Sequence, residues 1–355
     1  MIAEAEEVIC IPWAGTAGGP SVADAADVLT PLLRSCGRDV AQTVRRLPAL
    51  GRCVGVHEAT TPVRREWSAM ATIGAFDLTV ARIVEPHVDA LAILDEAGSP
   101  LRGRGADSTW GVYAAEGPGV RLEARESRTG WTLTGTKPWC SLAQDLDYAL
   151  ITAWTARGIR RLFAVDLHSP GVAIGHERWV ARGLSAVDSP SLICRAVAAT
   201  PIGPDGWYHD RPGFAIGGMR VAAVWFGAAM AVGRTLRAHA DRGALDQIGM
   251  MHLGAAEIAL HQAGQVMADA AHRLDGDVPD TDRSVLGLHV RSAVRRAAEE
   301  VIERTAHALG PTPLVRDAAH AARIADLTVY LCQEHAERDV AALGNAVAEG
   351  RGLVL

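Results

Sequence analysis

Leu133-Thr134-Gly135-Thr136-Lys137-Pro138-Trp139-Cys140-Ser141-Leu142-Ala143 is the stretch on which the reading of this chain turns. An extended run ends at Lys137-Pro138, and a tryptophan, a cysteine and a serine follow together. Lys137 is the only lysine in the chain. A planar indole beside a hydroxyl offers one apolar face to stack on and one hydrogen bond to a ring edge. A β-turn with a buried tryptophan accounts for the same local pattern.

Outward from this stretch the chain changes character twice. Upstream, residues 21 to about 98 read as helical. Thr61-Pro62 makes an N-cap and first-turn pair. Ile73, Phe76, Val80, Ile83 and Val84 recur at helical spacing, and Pro86 is expected to kink or divide the segment. Between 108 and 200 short β-rich runs follow one another: Thr109–Ala115, Arg121–Arg125, Trp131–Thr136, Asp147–Thr155, Arg161–Val165 and Ser191–Val197. Turns such as Gly117-Pro118-Gly119 separate them, with no helical pattern between, so an antiparallel barrel or sandwich is expected. Downstream, long helical segments are expected at 213–241, 246–274, 282–309 and 315–343, joined by short connections as in a four-helix bundle. The expected fold class is α+β, with an N-terminal helical domain at 1–107, a middle β domain at 108–205 and a C-terminal bundle domain at 206–355.

Composition excludes several classes of function. Hydrophobic residues make up 49% and charged residues 21% of 355 residues, an ordinary globular balance. The formal charge is −6 and no basic run is present, which argues against nucleic acid as a partner. Cys10, Cys36, Cys53, Cys140, Cys194 and Cys332 are scattered without metal-ligand spacing, so no metal is expected and free thiols in a reducing cytoplasm are. The N-terminus is acidic where a signal peptide would be basic. The apolar stretch Val221–Gly233 is too short for a span of roughly 20 residues, so no membrane is expected. No phosphate loop, G-x-G-x-x-G fingerprint, G-x-S-x-G elbow or H-E-x-x-H helix is present.

The order helix–β–helix and the 133–143 stretch together resemble the acyl-CoA dehydrogenases, which carry a segment reading roughly L-x-G-x-K-x-W-I-[ST]-x-A. Leu133, Gly135, Lys137, Trp139, Ser141 and Ala143 stand in register with it. The resemblance implies FAD as cofactor, with Trp139 packed on the flavin and Ser141 bonded near its N5, Cys140 between them. It also implies flavin contacts from the strand that ends in T-E-P. Here that strand reads Val112-Tyr113-Ala114-Ala115-Glu116-Gly117-Pro118, which leaves Tyr113 and Ala115 as backbone contacts and removes the threonine hydroxyl. Gly213-Phe214 and Arg220 match the opening of the family's third zone, and Gly310 matches one glycine of its Q-x-x-G-G turn, with His307 near the glutamine's place. Acyl-CoA or another acyl thioester is the implied substrate. A homodimer or homotetramer, or a heteromer with a related subunit, is the implied assembly.

The resemblance fails where the reaction needs a base. The stretch Arg242-Gly243-Ala244-Leu245 lacks the family's F-G after its pyrophosphate-binding arginine. More seriously, the two positions at which relatives keep the catalytic glutamate hold Leu331 and Met219. Desaturation of an acyl thioester needs a proton acceptor, worth roughly 10²–10⁴ in rate. Glu334, with i,i+3 spacing to Leu331 on an expected helix, is the candidate replacement, and His335 the next. Glu334–Arg338 and His335–Asp339 also have the spacing of solvated surface pairs. Three functions therefore stay open: α,β-desaturation of an acyl thioester, a catalytically silent subunit of a heteromeric enzyme, and a flavin monooxygenase on the same fold.

Overall fold

The computed structural model describes residues 22–55, 62–101, 107–156, 158–276 and 280–354. Helices α1 (Val22–Cys36), α2 (Val40–Val54), α3 (Val63–Phe76) and α4 (Leu78–Glu96) come first. Strands β1 (Trp110–Tyr113), β2 (Leu122–Ser127), β3 (Gly130–Lys137), β4 (Tyr148–Trp154), β5 (Arg160–Asp166), β6 (Val172–Ile174) and β7 (Leu192–Ile202) follow. The short α5 (Trp207–Asp210) leads into α6 (Gly213–Asp241), α7 (Gln247–Leu274), α8 (Asp280–Leu309), α9 (Thr312–Arg316), α10 (Ala318–Leu331) and α11 (Glu337–Ala348). The mixed helix-and-sheet class is the expected one.

Aspartates set the helix starts. Asp39, Asp77, Asp246 and Asp317 each accept a hydrogen bond from a backbone N–H in the first turn of α2, α4, α7 and α10. A cap of this kind stabilises a helix by about 1 kcal/mol. Asp77 also overturns one expectation. Extended at φ −163, it divides α3 from α4, whereas Pro86 lies inside α4 without ending it. A proline in a helix removes one backbone bond, but burial of the α4 face on both sides of it keeps the helix whole. Thr61 lies outside the described residues, and the residue capping α3 is Pro62. The expected helix 315–343 is likewise broken: α10 ends at Leu331, and residues 332–336 form a turn before α11.

The sheet is mixed. The strand order is β1-β4-β2-β3-β7-β5, with β6 on β7 and β4 also paired to β5, so the pairings return to β4 from the far side. Antiparallel pairing alone was expected, yet β1 runs parallel to β4, from Trp110↔Tyr148 to Tyr113↔Ile151, and β2 touches β4 in parallel at Glu123↔Trp154. The reason is connectivity: β3 reverses the chain and the 138–147 loop reverses it again, returning β4 to the direction of β1.

The core is built around α6. Ala222, Ala223, Val224, Trp225, Ala228 and Val232 are buried in it. By length and composition α6 could cross a membrane, but 78% of its apolar window is buried inside the fold, as in a core helix. Two glycines allow α3 to lie against it: a Cβ on Gly74 would come within 2.3 Å of the Val224 carbonyl oxygen, and one on Gly227 within 1.8 Å of that of Ala71. Gly227→Ala should therefore force the helices apart and destabilise the protein by about 1–3 kcal/mol. Gly254→Ala, on the exposed face of α7 with no atom within 4 Å of the new methyl, should stabilise it by about 0.5–1 kcal/mol. Urea midpoints of both variants against the parent measure the difference; equal losses would show that the α3–α6 approach is not the cause.

Candidate functional site

The Leu133–Ala143 stretch ends β3 and turns out of the sheet. A register shift between Leu133 and Gly135 lets the strand bend, and Gly135 has φ 123 with the Arg121 carbonyl oxygen 2.2 Å from where a Cβ would be. Only glycine meets both demands. At the strand's end Lys137 turns inward, its side chain 1% exposed. Its Nζ donates to Glu116 Oε1 at 2.6 Å and to Thr152 Oγ1 at 2.9 Å. Glu116 Oε2 accepts from Trp154 Nε1 at 3.1 Å. Burial pushes the lysine's pKa down, and the Glu116 carboxylate opposes that shift.

With Lys137 fixed inside, Trp139 is thrown outward. Its backbone is left-handed, φ 56, and its residue surface is 53% exposed. The next residues are tied to a second loop: Cys140 N donates to the Pro190 carbonyl at 2.8 Å and Leu142 N to that of Asp188 at 2.9 Å. Ser141 Oγ lies 2.8 Å from Ser189 Oγ, and the Ser141 carbonyl accepts from Tyr113 OH at 2.9 Å. Cys140 is buried, its thiol pKa raised by burial. Burial also raises the Tyr113 phenol.

Tyr113, Trp139, Cys140 and Ser141 thus form one cluster. Ala115 is exposed just beyond β1, between Ala114, whose carbonyl accepts from Thr152, and Glu116. Gly310 belongs elsewhere. It follows α8 with φ 63, and its N–H donates to Ala306 O at 2.9 Å, closing the helix end.

Glu334 departs from expectation. It lies past the end of α10, so Leu331 and Glu334 share no helical face. Its side chain is 1% exposed and fully engaged: Ser292 Oγ at 3.2 Å, Arg295 at 3.3 Å and Ala336 N at 2.8 Å. Neither a free base nor half of an Arg338 surface pair, it fastens the turn to α8. His335 keeps its expected pairing with Asp339 at 3.4 Å. Leu331 and Met219 are both buried.

Sequence reasoning missed the polar residues of α4. Arg82 NH2 donates to Ser141 Oγ at 3.4 Å, and its NH1 lies 3.3 Å from Glu85 Oε2. Tyr330 OH donates to the same Oε2 at 3.3 Å. Asp89, further along the same face, meets Arg220 at 3.1 Å. The signal was available as charged residues at i, i+3 and i+7 within a mostly apolar helix. Arg82, Ile83, Pro86, Trp110, Tyr113 and Ser141 line a narrow cleft between α4, β1 and the 141–146 loop. A larger cavity of about 680 Å³ opens between α1, α2 and α3 beside Arg46, Arg52 and Arg65, and shares no residue with this cluster.

Glu116→Gln should destabilise the fold by about 3 kcal/mol, because it leaves the buried Lys137 without its counter-charge. Adding Lys137→Met should restore part of that loss. Denaturant unfolding of the single and double variants checks this; an unchanged midpoint in Glu116→Gln would show the pair to contribute nothing.

No protein-family model matches the sequence, and no curated protein does. Solved structures do match. Dibenzothiophene monooxygenase TdsC from Paenibacillus superposes with a TM-score of 0.76 at 19% identity, over 93% of this chain and 98% of that one. Butyryl-CoA dehydrogenase from Megasphaera elsdenii gives 0.79 at 15% identity, over 94% and 100%. Glutaryl-CoA dehydrogenase from Mycobacterium smegmatis gives 0.73 at 18% identity, over 93% and 96%. The chain has the fold of the acyl-CoA dehydrogenases and of flavin-dependent enzymes built on the same scaffold.

Proposed function

We propose that this chain is a flavin-dependent oxidoreductase, acting in the cytoplasm on an acyl thioester by α,β-desaturation. The observation that carries the reading is the outward, half-exposed indole of Trp139 beside the Ser141 hydroxyl, held by a buried Lys137. An exposed aromatic face next to a hydroxyl suits a planar, hydrogen-bonding ring. The residues present fit the ring end of a flavin: Trp139 would stack on it, Ser141 would bond its edge, and the backbone at Ala115 would approach it. When bound, the flavin supplies the hydride acceptor. The chain's own part would be to hold the substrate against the cluster of Tyr113, Trp139 and Ser141 and to receive the proton. FAD is the cofactor the family resemblance implies; among the similar structures, TdsC is FMN-bound and the glutaryl-CoA dehydrogenase holds FADH2.

Purified protein mixed with FAD or FMN should turn yellow with a shifted flavin spectrum. Trp139→Ala should weaken binding about tenfold, a loss of ~1.4 kcal/mol from one stacking contact. Calorimetry with both flavins measures it. A protein that binds neither is the silent subunit of a heteromer and not an oxidoreductase. A monooxygenase is the second reading, favoured by the buried Leu331 and Met219, which carry no acid at either base position of the desaturases. Oxygen consumption by the reduced, flavin-loaded protein, with an oxygenated product, would select it over desaturation.

We further propose a homodimer or homotetramer. Ile248, Met250, Met251 and Ile258 leave exposed apolar surface along α7, the kind of surface that association buries. Light scattering at micromolar concentration should give at least twice the mass of one chain, and a clean monomer contradicts the assembly.

A further inference from the structure

Resting on the desaturase reading above, we propose that Glu85 on α4 is the proton acceptor of the site, in place of the acid absent from Leu331 and Met219. Its position supports this from two sides. Tyr330, whose phenol donates to Glu85 Oε2, is the residue directly before Leu331 on α10. Arg220, directly after Met219 on α6, pairs with Asp89, one turn beyond Glu85 on α4. Glu85 thus stands on a third helix, bonded to the chain neighbour of one of the two positions that the resemblance gives to the base.

The same carboxylate is linked to the cluster at Trp139. Arg82 lies between them, with Glu85 Oε2 at 3.3 Å on one side and Ser141 Oγ at 3.4 Å on the other. Both bonds are long for a guanidinium, and Arg82, which also lies 5.7 Å from the centre of the Tyr330 ring, is the residue between Glu85 and the cleft. Glu85 is 8% exposed. The groups that act on it are Arg82 and Asp89 of α4, Tyr208 of α5, Arg220 of α6, Arg291 of α8 and Tyr330 of α10. Burial, first, and then Asp89 raise its pKa; Arg82, Arg220 and the Tyr330 hydrogen bond pull it down. A carboxyl whose pKa is raised is a stronger proton acceptor than a surface glutamate.

The step balances without a further reagent. The substrate Cα–H bond breaks and its proton forms an O–H bond on Glu85. The electron pair left behind becomes the Cα=Cβ bond, as the Cβ hydrogen departs with its electrons to the flavin, the oxidant. Glu334 takes no part, being closed off against Ser292 and Arg295.

The test uses the full chain. Without flavin, pH-difference infrared spectra should contain a carboxylic-acid C=O band that titrates above the ordinary glutamate range and vanishes in Glu85→Gln. Tyr330→Phe removes a bond that favours the carboxylate and should move that midpoint to higher pH. With flavin and a panel of acyl-CoA thioesters, Glu85→Gln should keep the bound-flavin spectrum while flavin reduction slows at least ~100-fold. Glu85→Asp should keep part of the rate. Infrared spectra unchanged by Glu85→Gln, an unmoved midpoint in Tyr330→Phe, or a wild-type reduction rate in Glu85→Gln would each overturn the proposal. So would a flavin-loaded wild type that no acyl-CoA reduces. If Glu85→Gln does not fold, Glu85→Asp and Tyr330→Phe carry the same comparisons. A wild type that binds no flavin sinks the flavin reading instead, and the infrared comparison then still decides whether Glu85 holds the proton.

Discussion

Charge buried along α4 constrains the helices around it. Arg82, Glu85 and Asp89 sit, buried or half-buried, on a helix whose other residues are mostly apolar, and the more exposed Glu96 ends it. Each ion removed from water costs several kcal/mol unless a partner meets it. The partners come from elsewhere in the chain: Tyr330 from α10, Arg220 from α6, Ser141 from the loop after β3, and Arg211, whose NH1 meets Glu96 at 2.7 Å. Arg220 also binds Glu66 of α3. Moving any one of these elements would strand a charge, so α3, α4, α6 and α10 are positioned together.

A second buried charge organises the sheet side. Lys137 is satisfied by Glu116 and Thr152, which come from either side of it in the chain and fix the end of β3 against the residues after β1. The backbone that follows is strained. Trp139 and Leu142 both adopt left-handed φ angles near 56°, a conformation costing about 1–3 kcal/mol at a non-glycine residue. It persists because bonds to the 188–190 segment hold the residues between. The outcome is an indole kept in solvent on a rigid base.

The two networks meet at Arg82. Through it the hydroxyl of Ser141 and the carboxylate of Glu85 belong to one chain of polar contacts running from the sheet to α10. The fold around these contacts is the one shared with the dehydrogenases. Leu331 and Met219 are packed as core residues, and the carboxylates stand on α4.

The sequence by itself determined the class of fold and the texture of the site. Alternating runs against helical spacing separated the strands from the helices, because those periods are imposed by backbone geometry alone. The motif placed Gly135 where a left-handed, crowded backbone admits nothing else, and brought Trp139 and Ser141 forward as a pair. What tertiary structure decided were the facts that depend on distant partners. The parallel pairing of β1 with β4 depends on the path of the chain between them. Glu334 reads as a helix-face carboxylate until α10 stops at Leu331 and Ser292 and Arg295 close over it. Glu85 reads as one more charge on a helix until Tyr330, 245 positions away, is found bonded to it. Local periodicity carries no information about such partners, since the desolvation that makes a charge matter is set by whatever the rest of the chain packs against it.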